Sequence, residues 1–147
     1  MRAVVTRVSH ASVTIDGNVN GRIGTGFLVL LGVAPHDTRE TAVKLADKIC
    51  NLRVFEDENG KMNLSLEQVG GSLLVVSQFT LYADTSSRRP GFTKAAKPDV
   101  AIPLYEDFMA HCRERGFEVQ HGEFGADMKV DSLNDGPVTI FFDTDNP

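Results

Sequence analysis

The run Phe27-Leu28-Val29-Leu30-Leu31-Gly32-Val33 constrains this chain more than any other stretch. It has the length of a strand and carries no polar side chain, so alternation cannot assign it an inner and an outer face. Such a strand is stable only where both faces are buried. We read it as the central strand of the core.

The flanking segments supply cover. Residues 3 to 15 place Val4, Val8, Val13 and Ile15 among polar residues and end at Asp16-Gly17, a strand followed by a turn. Asp37 with Glu40 resembles an N-terminal capping box, and Ala42, Leu45, Ala46, Ile49 and Cys50 recur at helical spacing, which predicts a helix over 38–52. Asn59-Gly60 is a hairpin signal between Val54-Phe55 and the alternating Met62, Leu64 and Leu66. Leu73 to Val76 is again strongly apolar. Ala101, Leu104, Tyr105, Phe108 and Cys112 predict a second helix ending at Gly116, and because proline is tolerated in a first turn, Pro103 puts its start near Ile102. Three strands are expected after it, over 117–121, 128–133 and 138–142, with Asn134-Asp135-Gly136-Pro137 as punctuation between the last two. Hairpin connections outnumber helical crossovers. The expected fold class is therefore α+β: one domain over residues 1–147, mainly antiparallel β-sheet with two principal helices.

Composition narrows the function classes. A chain of 147 residues with 41% apolar and 24% charged residues is long enough for one core and ordinary in its make-up. Its net charge of −5 argues against broad nucleic-acid binding, and DNA is not an expected partner. Cys50 and Cys112 form neither a disulfide framework nor a zinc spacing, which fits a reducing, cytoplasmic setting. No stretch has the character of an export signal or a membrane span, so no membrane partner is expected. His10, His36, His111 and His121 are scattered without ligand spacing, and neither a catalytic metal nor a cofactor is expected. No nucleophile elbow surrounds Ser77, and no P-loop or dinucleotide fingerprint occurs.

Three features carry chemistry. In Ser77-Gln78-Phe79-Thr80, two hydroxyls and an amide enter the end of an apolar strand, where buried polar groups need partners that a ligand can supply. The spacing alone equally allows Ser77 and Thr80 to bond neighbouring backbone, with Gln78 in water. Gly136-Pro137 precedes the strand Val138-Thr139-Ile140; a cis peptide there would turn two carbonyls to one side as acceptors for an ammonium group, whereas on residues alone a plain turn is the commoner reading. Arg88, Arg89, Lys94 and Lys97 surround Phe92 with no acid between 86 and 97, which reads evenly as a phosphate-contacting loop or as a solvated one.

Taken together, Met1-Arg2-Ala3-Val4-Val5, Ser77-Gln78-Phe79-Thr80-Leu81 and Asn134-Asp135-Gly136-Pro137-Val138-Thr139 resemble the D-aminoacyl-tRNA deacylase family, in the same order and over the whole length. The resemblance implies a homodimer that hydrolyses the ester of D-aminoacyl-tRNA, and of glycine on tRNA, at the 3′ end. It implies that Gly136-Pro137 of one subunit, with a cis peptide, enters a pocket formed around Ser77, Gln78, Phe79 and Thr80 of the other and leaves no room for an L side chain. Arg7 is implied to support the Gly-Pro loop, backbone N–H groups near Phe79 and Thr80 to serve the oxyanion, and the 2′-hydroxyl of the terminal adenosine to assist. Arg89-Pro90-Gly91-Phe92 and Ser86-Ser87 depart from the family pattern, so contacts to the tRNA body carry over less directly than the pocket. Two other readings remain open on the residues: a tRNA-binding module without turnover, and a small-molecule esterase using Ser77 or Thr80 as nucleophile.

Overall fold

A computed structural model describes all residues 1–147. The strands are β1 (Arg2–Ile15), β2 (Asn18–Ile23), β3 (Gly26–Gly32), β4 (Phe55–Glu56), β5 (Met62–Leu64), β6 (Ser72–Ser77), β7 (Val119–His121) and β8 (Lys129–Asp143). The helices are α1 (Arg39–Cys50) and α2 (Pro98–Glu114), and a 3-10 turn spans Phe79–Tyr82. β1 pairs antiparallel with β2, β3 and β8, whereas β3 pairs parallel with β6 and β6 parallel with β7. β4 and β5 form a separate hairpin turned by Asn59-Gly60. The α+β class with two helices is the observed one, and the parallel β3–β6–β7 ladder is what makes the main sheet mixed.

The apolar run is buried on both faces, as its composition requires. Phe27, Val29 and Leu31 belong to the larger core, together with Leu73 and Val75 of β6 and the inner faces of both helices. Leu28 lies in a second cluster with Leu74 and Val76 and with Val8, Ala11 and Val13 of β1. Odd and even positions of one strand therefore feed different cores, the period-2 geometry of a strand covered on both sides. Asn20 donates to the His121 carbonyl at 2.7 Å, drawing β2 and β7 together and curling the sheet towards a barrel.

Three elements differ from the expectation. The N-cap of α1 is Thr38, whose hydroxyl and that of Thr41 complete the capping box. Asp37 instead accepts from the Ala34 N–H at 2.7 Å and the Met1 ammonium at 2.9 Å, partners remote from the helix signal. Helix α2 begins at Pro98, not near Ile102, with Pro103 inside it. Pro98 occupies the favoured first position, and exposed Pro103 forfeits only the bond to Asp99, close to the end where donors are unpaired anyway. Finally, 128–133 and 138–142 are not separate strands. β8 runs through both along β1, and Asn134-Asp135-Gly136-Pro137 lies within it. No helix is long and apolar enough to cross a membrane.

Helices α1 and α2 meet with the Cys50 and Cys112 sulfurs 3.7 Å apart, both buried. The contact with Cys50 and the burial push the Cys112 thiol well above its ordinary range. Since thiolate and access together govern reactivity, a thiol-specific reagent is expected to label neither cysteine over minutes in the native protein and both in denaturant. Rapid native labelling would show that the helix pair opens.

Candidate active site

β6 delivers Ser77 to the edge of the larger core, where it pairs with Leu31. The Gln78 N–H donates to the Leu31 carbonyl at 2.8 Å, and the chain then turns through Phe79–Tyr82. This turn satisfies the Leu81 and Ala83 N–H groups, which donate to the Gln78 and Thr80 carbonyls at 3.2 and 3.1 Å. The Phe79 and Thr80 N–H groups open the turn and have no acceptor. They are two adjacent unengaged donors beside a recess.

Neither the Ser77 nor the Thr80 hydroxyl bonds neighbouring backbone. Gln78 is not directed only to water: its Nε2 donates to the Thr80 hydroxyl. The Ser77 hydroxyl bonds no protein group and is not sealed from solvent. Ser77, Gln78, Phe79 and Phe124 border two adjoining hollows, one a narrow slot under Tyr105 and the other about 240 Å³, floored by Val76, Met128 and Val130. A larger cavity of about 660 Å³ lies between α1 and the end of β8, lined by Lys44, Lys48 and Phe141, and contains none of these groups. We place the candidate site at the smaller hollows because Ser77, Gln78 and Phe79 line both of them; Thr80 lines neither and stands next in the turn at their border.

No His or carboxylate lines either hollow, and no three His, Cys, Asp or Glu side chains are grouped anywhere as metal ligands would be. The one titratable neighbour is Tyr105, whose hydroxyl donates to the Val75 carbonyl at 2.7 Å; burial raises its pKa and keeps it protonated. A hydroxyl without a base is a poor nucleophile. The arrangement can orient an ester and stabilise an oxyanion.

Gly136 and Pro137 line neither hollow. Thr6 pairs with Thr139 and Val8 with Asn134, so residues 135 to 138 bulge out opposite the single residue Arg7. The Gly136–Pro137 peptide is cis, and both residues are exposed. The bulge is closed at its base by Asn134, which accepts from the Val138 N–H at 3.0 Å and donates to Thr139 at 3.1 Å. Beneath it lies Arg7, 5% exposed, with Nε donating to the Asp135 carbonyl at 2.9 Å and Nη1 to Val54 at 2.7 Å. Along the ladders Ser77 leads through Leu31 to Ala3, four residues or about 13 Å of strand from Arg7. Within one chain the Ser77–Thr80 turn and the Gly136-Pro137 bulge do not meet.

Two supporting residues escape a reading of the sequence. Arg2 donates to the Leu81 carbonyl at 2.9 Å and lies 4.6 Å over the ring of Tyr82, buttressing the turn from β1. Tyr105 of α2 holds the strand that leads into the turn, through its bond to the Val75 carbonyl. Arg2 reads as an ordinary terminal arginine and Tyr105 as a helix-face aromatic, and only long-range packing gives them these partners. Arg88, Arg89, Lys94 and Lys97 are exposed, and none of their side chains makes a hydrogen bond or ion pair.

Comparison with known proteins bears on this geometry. A family model described as D-Tyr-tRNA(Tyr) deacylase matches residues 4–143. The chain is 61% identical over 141 residues to a D-aminoacyl-tRNA deacylase of Shewanella amazonensis, covering 95% of this chain and 97% of that protein. It is 55% identical over 151 residues to one of Parabacteroides distasonis, covering 99% of each. Among solved structures it is similar to a c-Myc DNA unwinding element binding protein, with a TM-score of 0.92 and 41% identity over 98% of this chain and 99% of that one. A probable eukaryotic D-amino acid tRNA deacylase superposes with a TM-score of 0.82 at 18% identity, over 96% and 97% of the two chains, a likeness of fold.

Proposed function

Because the chain belongs to the D-Tyr-tRNA(Tyr) deacylase family, we propose that it works as a cytoplasmic homodimer in chiral proofreading, hydrolysing the ester of D-aminoacyl-tRNA and of glycine on tRNA while rejecting L-residues. The observation that carries this reading is the pair of unengaged Phe79 and Thr80 N–H groups in a turn that borders a recess lined by Ser77, Gln78 and Phe79 and without a base. Hydrolysis there needs an ester that is held and polarised, with water as nucleophile. Phe79 and Thr80 donate to the oxyanion, Gln78 fixes the Thr80 hydroxyl, and the 2′-hydroxyl of the terminal adenosine supplies the proton relay that the protein lacks.

Gly136 and Pro137 of one subunit complete the recess of the other, their carbonyls receiving the ammonium of the substrate. A backbone wall against the α-carbon admits hydrogen or a D side chain and collides with an L side chain, whatever its chemistry. Three features support the cross-subunit arrangement. The bulge is exposed and remote from its own recess, β8 pairs only with β1 along its length, and Val130, Leu133 and Phe141 stand exposed along it. A long unpaired strand edge with exposed apolar side chains is a surface that a second copy covers. Arg88, Arg89, Lys94 and Lys97 meet tRNA phosphates, a local cationic patch on an acidic chain.

The test is deacylation of D-Tyr-tRNA and L-Tyr-tRNA by the purified protein with a chelator present, together with its mass in solution. Fast loss of the D-ester alone by a dimer supports the reading; tRNA binding without turnover overturns it in favour of a binding module. Thr80→Val separates positioning from covalent catalysis. The expected result is a fall in kcat of about 10- to 100-fold with no acyl-enzyme trapped on quenching, whereas complete inactivation of a protein that forms an acyl-enzyme would establish the esterase mechanism.

A further inference from the structure

The loop 84–97 does not hang free. Asp84 and Gly91 exchange two backbone hydrogen bonds, at 2.8 and 3.0 Å, making a closed turn with Arg88 and Arg89 at its tip. Ser87 donates to the Arg89 carbonyl at 2.8 Å, Ser86 N–H to the Asp84 carboxylate at 3.0 Å, and Ala96 N–H to the Val33 carbonyl at 2.8 Å. This framework places Phe92 against Phe79, ring centroids 5.0 Å apart and planes at 74°. Both rings nevertheless remain open to solvent, 53% exposed for Phe79 and 36% for Phe92.

Two exposed phenylalanines in edge-to-face contact leave ring faces that water solvates poorly. Their position is informative because Phe79 belongs to the candidate active site through its backbone, while Phe92 belongs to the cationic loop. The loop that carries Phe92 also carries Arg88, Arg89, Lys94 and Lys97, all exposed and none in a side-chain hydrogen bond or ion pair. Aromatic faces beside uncommitted cations match a single-stranded nucleic acid, whose bases stack while its phosphates are neutralised. A duplex offers no free base face, and an acidic peptide offers no flat ring to match the phenylalanines.

We propose that Phe79 and Phe92 form a stacking platform for the unpaired nucleotides preceding the terminal adenosine of the tRNA 3′ end, with Arg88 and Arg89 on the adjoining phosphates. The proposal rests on the deacylase reading and adds to it how the strand is aimed: the base on the platform sets the distance at which the terminal ester reaches the Phe79 and Thr80 N–H groups. The closed turn at Asp84 and Gly91 pre-orders Phe92 and limits the entropy lost on binding.

The test compares D-Tyr-tRNA with D-tyrosyl-adenosine, which has the ester and terminal nucleoside but no preceding nucleotides. Phe92→Ala is expected to raise KM for D-Tyr-tRNA about tenfold with kcat little changed, and to leave the KM for D-tyrosyl-adenosine within about twofold; Phe92→Tyr, which keeps the ring, is expected to restore the tRNA value. An unchanged KM for the tRNA, or an equal loss on both substrates, overturns the platform. So does a loss seen with D-Tyr-tRNA and absent with D-Ala-tRNA, which would make the rings a pocket for the amino-acid side chain. Failure of the unsubstituted protein to hydrolyse either substrate would instead sink the deacylase reading itself.

Discussion

Gly136→Ala is expected to lower kcat/KM for D-Tyr-tRNA by about 100-fold or more while the protein still folds. Gly136 has φ +132°, a region that L side chains rarely adopt, and an added Cβ would lie 2.9 Å from Arg7 Nη2 and 2.9 Å from Val138 Cγ2. Arg7 cannot yield, since its Nε and Nη1 are held by the Asp135 and Val54 carbonyls. The loop must move instead. A displacement near 1 Å in a positioning group costs on the order of 100-fold in rate, and the strained backbone about 1–3 kcal/mol of stability. Deacylation kinetics and urea unfolding measure the two separately.

The same variant examines how the site is shared between subunits. If Gly136 of one chain serves Thr80 of the other, mixed dimers of Gly136→Ala and Thr80→Val chains contain one intact site and one doubly altered site. Random exchange makes half the dimers mixed, so activity is expected to recover to about one quarter of that of the unsubstituted protein. A mixture no more active than the mean of its components would mean that each subunit carries its whole site.

Arg7→Ala is expected to be the most destabilising single change of those considered. The side chain is buried beneath the bulge and is the sole side-chain donor to the Asp135 and Val54 carbonyls. Its removal strands two acceptors and opens a hole, a loss of about 3 kcal/mol for charge-assisted bonds of this kind. For a chain of 147 residues that is a fall in Tm of roughly 10 °C. Arg7→Lys is expected to recover less than half, because a single ammonium cannot reach two carbonyls with the spread of a guanidinium. A Tm within about 2 °C of the parent, with D-Tyr-tRNA turnover intact, would remove Arg7 from any supporting role.

The residues themselves determine a good deal of this protein. The run from Phe27 to Val33 demands cover on both faces, and two cores fed by alternate residues are what it receives. The periodicity of Ala42 to Cys50 and of Ala101 to Cys112 shows two helices with one apolar face each, because burial of a stripe is a local property of spacing. Asn59-Gly60 marks its hairpin because turn chemistry is equally local. The resemblance carried by the Met1–Val5, Ser77–Leu81 and Asn134–Thr139 segments names the family that the match over residues 4–143 shows.

Other properties were decided only by tertiary structure. Pro98 and Pro103 are both local start signals for α2, and the start at Pro98 is decided by packing of Ala101, Leu104 and Tyr105, which outweighs one missing hydrogen bond. Asn134-Asp135-Gly136-Pro137 resembles an interruption because its composition is that of a turn, yet the long ladder to β1 continues past it, and the four residues become a bulge held by Arg7. Cys50 and Cys112, 62 positions apart, face each other only because α1 crosses α2. The clasp of Arg2 on Leu81 and the contact of Phe92 with Phe79 likewise depend on partners distant in sequence. The division has one physical cause. Burial preference and turn geometry act over a few residues and are written in the order of side chains, whereas the pairing of donors with acceptors and rings with rings depends on which segments the closed sheet brings together.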